Sequence, residues 1–403
     1  MESEGSHLEP KQILILPVEL IIEILSRLAV KSLLRFKCVS SQWSCLISSP
    51  NFIKTHLKLF TNNKDFIHNR LLLTFIQPHR HLMDCSINSL LYDSDPKTFQ
   101  LDYPMQNRRK LLKVLGSVNG LICLSIGKDL ILWNPSIRKF KKFRDPQCGC
   151  YVLHGFGYDE LRDDYNLVLI SKEEVRLYSS NSDSCRTLVH DRSVRAIREK
   201  NGIFVKGKLH WAKSLSEDQD QYQHSYNDWD IICIDVTDGE WGKVEKPYYG
   251  EGDFDLTPSV GVLGSDLSIL CNYHSLQTDV WMMKEYGVKE SWTKMYTMNR
   301  PNGHPEGYRF SPLFCGMSNK GEIFFEDDQS TFIIYDPKNE SFIGQKVIID
   351  GYRFWEASIY IDESLVWPVS QKGMMQSGIL RSLRKQTRYE QRVQQPRRWE
   401  IPK

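Results

Sequence analysis

ILILPVELIIEILSRLAVKSLLRFKCVSSQWSCLISSPNFIKTHL, residues 13–57, carries more apolar surface than so short a segment can hide within itself. Leu20, Ile21, Ile24, Leu25 and Leu28 recur along one face of a helix, and Glu19, Glu23 and Arg27 fall opposite them at i, i+4 spacing. Pro17 stands where that helix begins, a place where its missing N–H costs nothing. Ser32 is placed to cap a second helix, and Ser40 or Ser41 a third. Pro50 and Asn51 end the third and start a turn through Phe52, Ile53 and Leu57. The second and third helices leave apolar residues on more than one side, so the module must dock on something.

The 403 residues have room for this module and one large domain. A formal net charge of +2 gives no bulk attraction for nucleic acid or acidic partners, so nucleic acid is not an expected partner. Residues 1–12, MESEGSHLEPKQ, are acidic and polar and read as a disordered N-terminus, neither a secretory signal nor a transit peptide. No apolar run reaches the roughly 18 residues that span a bilayer, so no membrane is expected either. The ten cysteines are scattered, with Cys123, Cys233, Cys271 and Cys315 inside apolar strand-like runs. That pattern is one of reduced thiols in an intracellular protein of the cytoplasm and/or nucleus. Cys148-Gly-Cys150 has no second pair at ligand spacing, so it reads as loop thiols rather than a metal site.

Past residue 70 the apolar period changes from helix to strand. Short runs at Leu71–Ile76, Leu121–Ser125, Leu130–Trp133, Leu167–Ile170, Gly202–His210, Ile231–Val236, Ser268–Tyr273, Glu322–Glu326 and Phe332–Tyr335 lie between Gly, Asn, Asp, Ser and Pro clusters. No amphipathic helix is expected among them before residue 370, which excludes a doubly wound parallel sheet. A weak repeat, a strand ending in an aromatic or Asp-like turn followed by a polar hairpin, centres on Tyr92, Trp133, Tyr178, Asp235, Trp281 and Tyr335. Its spacing is close to the roughly 50 residues of kelch-type blades. The fold expected is therefore α+β and multidomain, a small three-helix module followed by an all-β propeller of about six blades, with packed β-sandwiches as the alternative. Ala357–Trp367 is placed to close the ring against residues 70–76 as a final strand pair. Trp133, Trp211, Trp241, Trp281 and Trp292 are expected to fill gaps between blades. Gly116, Gly120, Gly157 and Gly264 are expected in tight turns.

Two resemblances sharpen this reading. LPVELIIEIL (16–25), RLAVKSLLRFKCVSSQW (27–43) and SPNFIKTHL (49–57) together resemble an F-box, with Ser41 where many members carry Lys. LGSVNGLICL (115–124), LWNPSIRKF (132–140), GFGYDELRDDYNLVLI (155–170), GVLGSDLSILCNY (261–273), DVWMMKEYGVKESWTK (279–294) and DESLV (362–366) resemble the plant F-box-associated, or F-box/kelch-repeat, domain. Asn166 and Cys185 depart from its usual Lys and Trp. The resemblance implies an F-box over 13–57, a linker over 58–69, a propeller over 70–368 and a basic tail over 369–403. It also implies a substrate-recognition subunit of an SCF ubiquitin ligase, in which Leu16, Pro17, Ile21, Ile24, Leu25, Leu28, Leu33, Leu34, Val39 and Trp43 bind the Skp-type adaptor. Cullin and a RING protein would join through that adaptor, and the propeller would hold an unidentified protein substrate. A Skp-bound scaffold without ligase activity and a propeller enzyme are the alternatives.

No phosphate loop, dinucleotide fingerprint, nucleophile elbow or zincin motif occurs, so no cofactor and no catalytic residue is expected. His79-Arg-His81 with Asp84 and Cys85 matches no metal spacing, and Asp163-Asp164 and Asp327-Asp328 read as solvated hairpin tips. Substrate specificity is expected in the polar, irregular loops 144–154, 214–228, 246–257 and 298–310. Residues 381–403 carry eight Lys/Arg against two Glu, a basic tail that reads as a frayed, solvated helix or a nuclear import signal.

Overall fold

A computed structural model describes residues 16–61, 69–75, 80–93, 97–107, 110–143, 151–189, 197, 200–214, 229–249, 256–273, 277–299, 322–326, 332–343, 354–361 and 363–368. The expected N-terminus, the Cys148/Cys150 pair, Asp327-Asp328, the basic tail and most of the four specificity loops lie outside these residues.

The N-terminal module consists of α1 (Val18–Ser26), α2 (Val30–Phe36), α3 (Ser41–Ile47) and α4 (Pro50–Thr61). Pro17 is the N-cap of α1, and Ser40 caps α3 by accepting the Trp43 N–H at 3.1 Å. Ser32 lies inside α2 and caps nothing, because the helix already starts at Ala29, whose side chain cannot accept a hydrogen bond. The stretch from Pro50 is a full helix rather than a turn, and it runs past residue 57 into the expected linker. Proline at the first helical position and the apolar series Phe52, Ile53, Leu57 and Phe60 support those added turns.

Strands then follow in chain order: β1 (Asn69–Phe75), β2 (His81–Ser86) and β3 (Thr98–Leu101), with the short α5 (Ile87–Tyr92) between the last two. The second blade is β4 (Leu112–Val118), β5 (Leu121–Ile126), β6 (Asp129–Asn134) and β7 (Lys139–Lys142). The third is β8 (Leu153–Asp159), β9 (Asp164–Ile170), β10 (Val175–Ser179) and β11 (Ser184–Leu188). The fourth is β12 (Asn201–Val205), β13 (Lys208–Ser214), β14 (Trp229–Asp235) and β15 (Trp241–Val244), joined to the third in one eight-stranded sheet by a short parallel pairing of β12 with β8, Asn201 opposite His154. The fifth is β16 (Leu256–Leu263), β17 (Asp266–Tyr273), β18 (Gln277–Met283) and β19 (Trp292–Asn299). Of the sixth, the described residues include β20 (Ile323–Glu326), β21 (Phe332–Asp336) and β22 (Ser341–Ile343). Finally β23 (Phe354–Ile361) pairs antiparallel with β1, Leu71 opposite Ile359 and Leu73 opposite Ala357, and completes the first blade. The last described strand thus closes the ring, and Glu363–Pro368 beyond it is extended without being a strand.

Six apolar clusters sit between successive blades. Leu72 and Tyr360 of the first blade meet Ile122 and Trp133 of the second, whose Cys123 and Leu132 meet Phe156 and Tyr165 of the third. Leu153 and Val168 meet Trp211 and Ile234, Cys233 and Val244 meet Cys271 and Trp292, Leu270 and Val280 meet Tyr335, and Ile334 meets Leu71 and Phe75. Each sheet is therefore covered on both faces, which is why Leu121–Leu124 of β5 and Leu167–Ile170 of β9 read as unbroken apolar runs rather than alternating ones. The sequence repeat falls on the third strand of the second to fifth blades, Trp133, Tyr178, Asp235 and Trp281 in β6, β10, β14 and β18, and on β21 of the sixth, with Tyr335. Tyr92 departs from it, standing in α5, an insertion after the third strand of the first blade. The five tryptophans pack between blades as expected. Gly116 is not in a turn but at a bulge within β4, with φ +143°. Gly157 is not in a turn either. It lies in β8, where an added Cβ would sit 2.7 Å from Phe204 and 2.8 Å from Val236 of the next blade.

Candidate interaction faces

The helical module divides its apolar residues between two jobs. Leu25 (2% exposed) and Leu33 (0%) form its core with Val30, Ile47 and Phe52, and Ile21, Leu28, Leu34 and Trp43 pack half-buried around it. Leu16 (51% exposed), Ile24 (52%) and Val39 (63%) face solvent, and so do Pro17, Val18 and Leu20. Of the ten residues the resemblance assigns to an adaptor, the structure thus places four in the open, four at half burial, and Leu25 and Leu33 inside. Leu20 and Ile24, one turn apart on α1, share a face. Val18 and Leu20 were outside the expected set; their exposure follows from the inward direction of Ile21, Ile22 and Leu25, which sequence periodicity alone does not orient. Glu23 and Arg27 form the expected i, i+4 pair at 2.9 Å.

The module needs the propeller to finish its core. Leu365, from the segment after β23, is 4% exposed among Leu25, Val30 and Leu33, and Ile137 of the β6–β7 turn packs against the same group. On the other side Ile53 and Leu57 of α4 reach the cluster between the second and third blades, next to Val366. Lys54 pairs with Asp163 of the β8–β9 turn at 3.1 Å. A cleft of about 540 Å³ remains between α4 and these turns, lined by Lys54, Lys58, Tyr158, Asp163, Tyr165 and Trp367, among others.

The module therefore sits on the rim formed by the β4–β5, β6–β7, β8–β9 and β10–β11 turns. These are tight: Asn119-Gly120, Arg138, Asp163 and Asp183 adopt positive φ to make them. Because strands alternate in direction, the starts of β8, β12 and β16 lie at the opposite rim, together with Ser214 at the end of β13 and Trp229 at the start of β14. The described parts of the four expected specificity loops, at 151–154, 214, 246–249 and 298–299, lie there.

The groups with chemical potential are bound into the fold. Asp84 receives Arg70 through two hydrogen bonds of 2.6 and 2.5 Å and the Tyr360 hydroxyl at 3.0 Å. Asp164 is not a solvated tip: it is buried and accepts hydrogen bonds from Ser179, Ser180 and the Asn181 N–H. Burial, then the Asp84 charge, pushes the Cys85 thiol up to about 11, so it stays protonated and unreactive at neutral pH. Asn166, which replaces the usual lysine, donates to the Val236 carbonyl at 2.8 Å and ties the third blade to the fourth. No group of three or more metal-binding side chains occurs among the described residues, and no helix there is long and apolar enough to cross a membrane.

A helical module with an apolar outer face, seated on one rim of a propeller, is the build of a two-module recognition protein. The sequence profile of the F-box domain matches residues 13–55, and that of the F-box associated beta propeller domain matches residues 79–367. The chain belongs to the F-box proteins that carry this propeller. An F-box/kelch-repeat protein of Arabidopsis thaliana, At3g23880, is 33% identical over 300 residues, covering 70% of this chain and 79% of the relative. The F-box protein CPR1 of the same plant is 27% identical over 355 residues, covering 80% and 82%.

Proposed function

We propose that the chain is the substrate receptor of an SCF-type ubiquitin ligase, non-catalytic itself and working in the cytoplasm and/or nucleus. The observation that carries this is the open row Leu16, Leu20 and Ile24 on a module whose core is filled from the other side by Leu365 and Ile137. A Skp-type adaptor would cover these side chains, as a groove covers an apolar helix face. Pro17 and Val39 would join that contact, with Ile21, Leu28, Leu34 and Trp43 at its edge. Leu25 and Leu33 would serve it from within, by holding α1 against α2. The propeller would then present a protein substrate on the rim away from the F-box. Exposed Leu111 and Val152, at the starts of the inner strands β4 and β8, stand at that rim as apolar contacts. Ubiquitin transfer to a lysine of the held substrate becomes effectively intramolecular, which is the receptor's whole catalytic contribution.

Domain limits follow as 16–61 for the helical module as folded, about 70–368 for the propeller, and a tail beyond. The test is affinity purification of the full-length protein and of Ile24→Asp from plant cells with the proteasome blocked. Adaptor and cullin captured by the wild type and lost together from Ile24→Asp support the reading. Adaptor without cullin would make the chain a scaffold, and neither partner would overturn the assignment.

A further inference from the structure

Beyond β23, Glu363–Val366 meet both modules in alternation. The Glu363 carboxylate accepts the Val30 N–H at the start of α2, the helix whose own N-cap residue, Ala29, offers no side-chain acceptor. Ser364 turns the other way: its hydroxyl donates to the Asn119 carbonyl at 2.7 Å and its N–H to Ser136 Oγ at 3.4 Å. Leu365 enters the F-box core, and Val366 enters the cluster between the second and third blades. Asn134 grips the backbone between them, donating to the carbonyls of Ser364 at 3.0 Å and Val366 at 2.8 Å. An extended segment whose successive side chains point to opposite sides suits two surfaces facing each other.

We infer that Glu363–Pro368 is an orientation clamp: it joins F-box and propeller into one rigid body, and Glu363 is a positioning residue that sets the angle between the adaptor face and the far rim. The Lys54–Asp163 ion pair between the two modules is half-exposed on both sides and holds little by itself. A receptor fixed in this way delivers ubiquitin to a narrow zone of lysines, because reach depends on the rigid geometry between adaptor and substrate. The inference about lysine choice rests on the ligase reading, but the clamp itself does not.

The experiment is hydrogen exchange on the full-length protein, comparing wild type with Glu363→Ala, Glu363→Gln and Lys54→Ala. Glu363→Ala should raise exchange across residues 30–36 at least tenfold while the amides of β4–β10 keep their protection. Glu363→Gln, which still offers an oxygen acceptor, should restore part of it, and Lys54→Ala should change nothing. Unchanged exchange in Glu363→Ala, or exchange raised equally in the blades, overturns the clamp. In a reconstituted assembly with adaptor, cullin and RING protein, Glu363→Ala should keep adaptor affinity within twofold and spread self-ubiquitination over more of the chain's own lysines. An unchanged lysine pattern in a variant with loosened α2 would overturn the positioning role, while absence of adaptor binding by the wild type would strike only the ligase reading.

Discussion

The side-chain nitrogen of Asn134 lies 3.0 Å from the carbonyl oxygen of Ser364, a contact that spans 230 positions of the chain. The second amide hydrogen goes to Val366, and the amide oxygen accepts the N–H groups of Ser136 and Ile137 in the β6–β7 turn. One fully buried carboxamide thus closes its own hairpin and fastens the returning C-terminal segment against it.

Replacing Asn134 by Ala should cost about 2–4 kcal/mol, since it leaves buried carbonyls and N–H groups without their partner. Asn134→Asp, nearly the same shape, should be no better, because a buried carboxylate would face two carbonyl oxygens. Chemical denaturation of the three proteins measures this; equal midpoints would show the amide to be dispensable.

Neighbouring residues on α1 should separate adaptor binding from stability. Ile24→Asp, at an exposed position, should shift unfolding by less than about 0.5 kcal/mol yet abolish adaptor capture. Leu25→Ala should cost about 2–5 kcal/mol through the cavity it leaves. Melting curves read beside adaptor pull-down distinguish the two, and a folded Ile24→Asp that binds fully would place the adaptor elsewhere.

At Gly157 the nearest obstacles to a Cβ are the Phe204 ring and Val236, both in the next blade. Gly157→Ala should therefore destabilise by about 1–3 kcal/mol, by pushing the third and fourth blades apart. An unaltered melting temperature in this variant would mean that the Phe204 ring moves aside freely.

Acid should weaken the propeller through two buried histidines. Burial, helped by the charges of Lys113 and Lys200, pushes His154 down to about 3. Burial also pushes His210 down to about 4, against the opposing hydrogen bond to Ile203 and with a smaller push from Lys208. In the unfolded chain both take up a proton near pH 6.5. Between the folded and unfolded values the unfolded state binds more protons, so stability present above about pH 6.5 falls as pH drops. The slope is up to about 1.4 kcal/mol per pH unit for each ring. Unfolding midpoints of wild type and His210→Gln at pH 7 and pH 5 test this: the variant should lose less on acidification, and parallel losses would contradict it.

Much was legible before any fold was in view. The helical spacing from Leu20 to Leu28, the cap at Ser40, the change of period near residue 70 and the repeat through Trp133, Tyr178, Asp235, Trp281 and Tyr335 are local patterns. Local patterns follow from backbone periodicity, which sequence records directly. Where the reading missed, a distant contact was the cause. Ser32 looked like a cap, but the acceptor for α2 comes from Glu363, and Gly157 looked like a turn residue, but its reason is a side chain in another blade. Asp164 looked solvated, and is buried by Ser179 and Ser180 across its hairpin.

The sequence by itself thus determined the class of each module and nominated the residues proposed to bind an adaptor. Only the tertiary structure decided which of those residues remain free to do so, because an apolar helix face reads the same whether it turns inward, as Leu25 does, or outward, as Ile24 does. It also decided that WNPS at 133–136 and ESLV at 363–366 are one joint, since hydrogen bonds between segments so far apart leave no periodic trace in either.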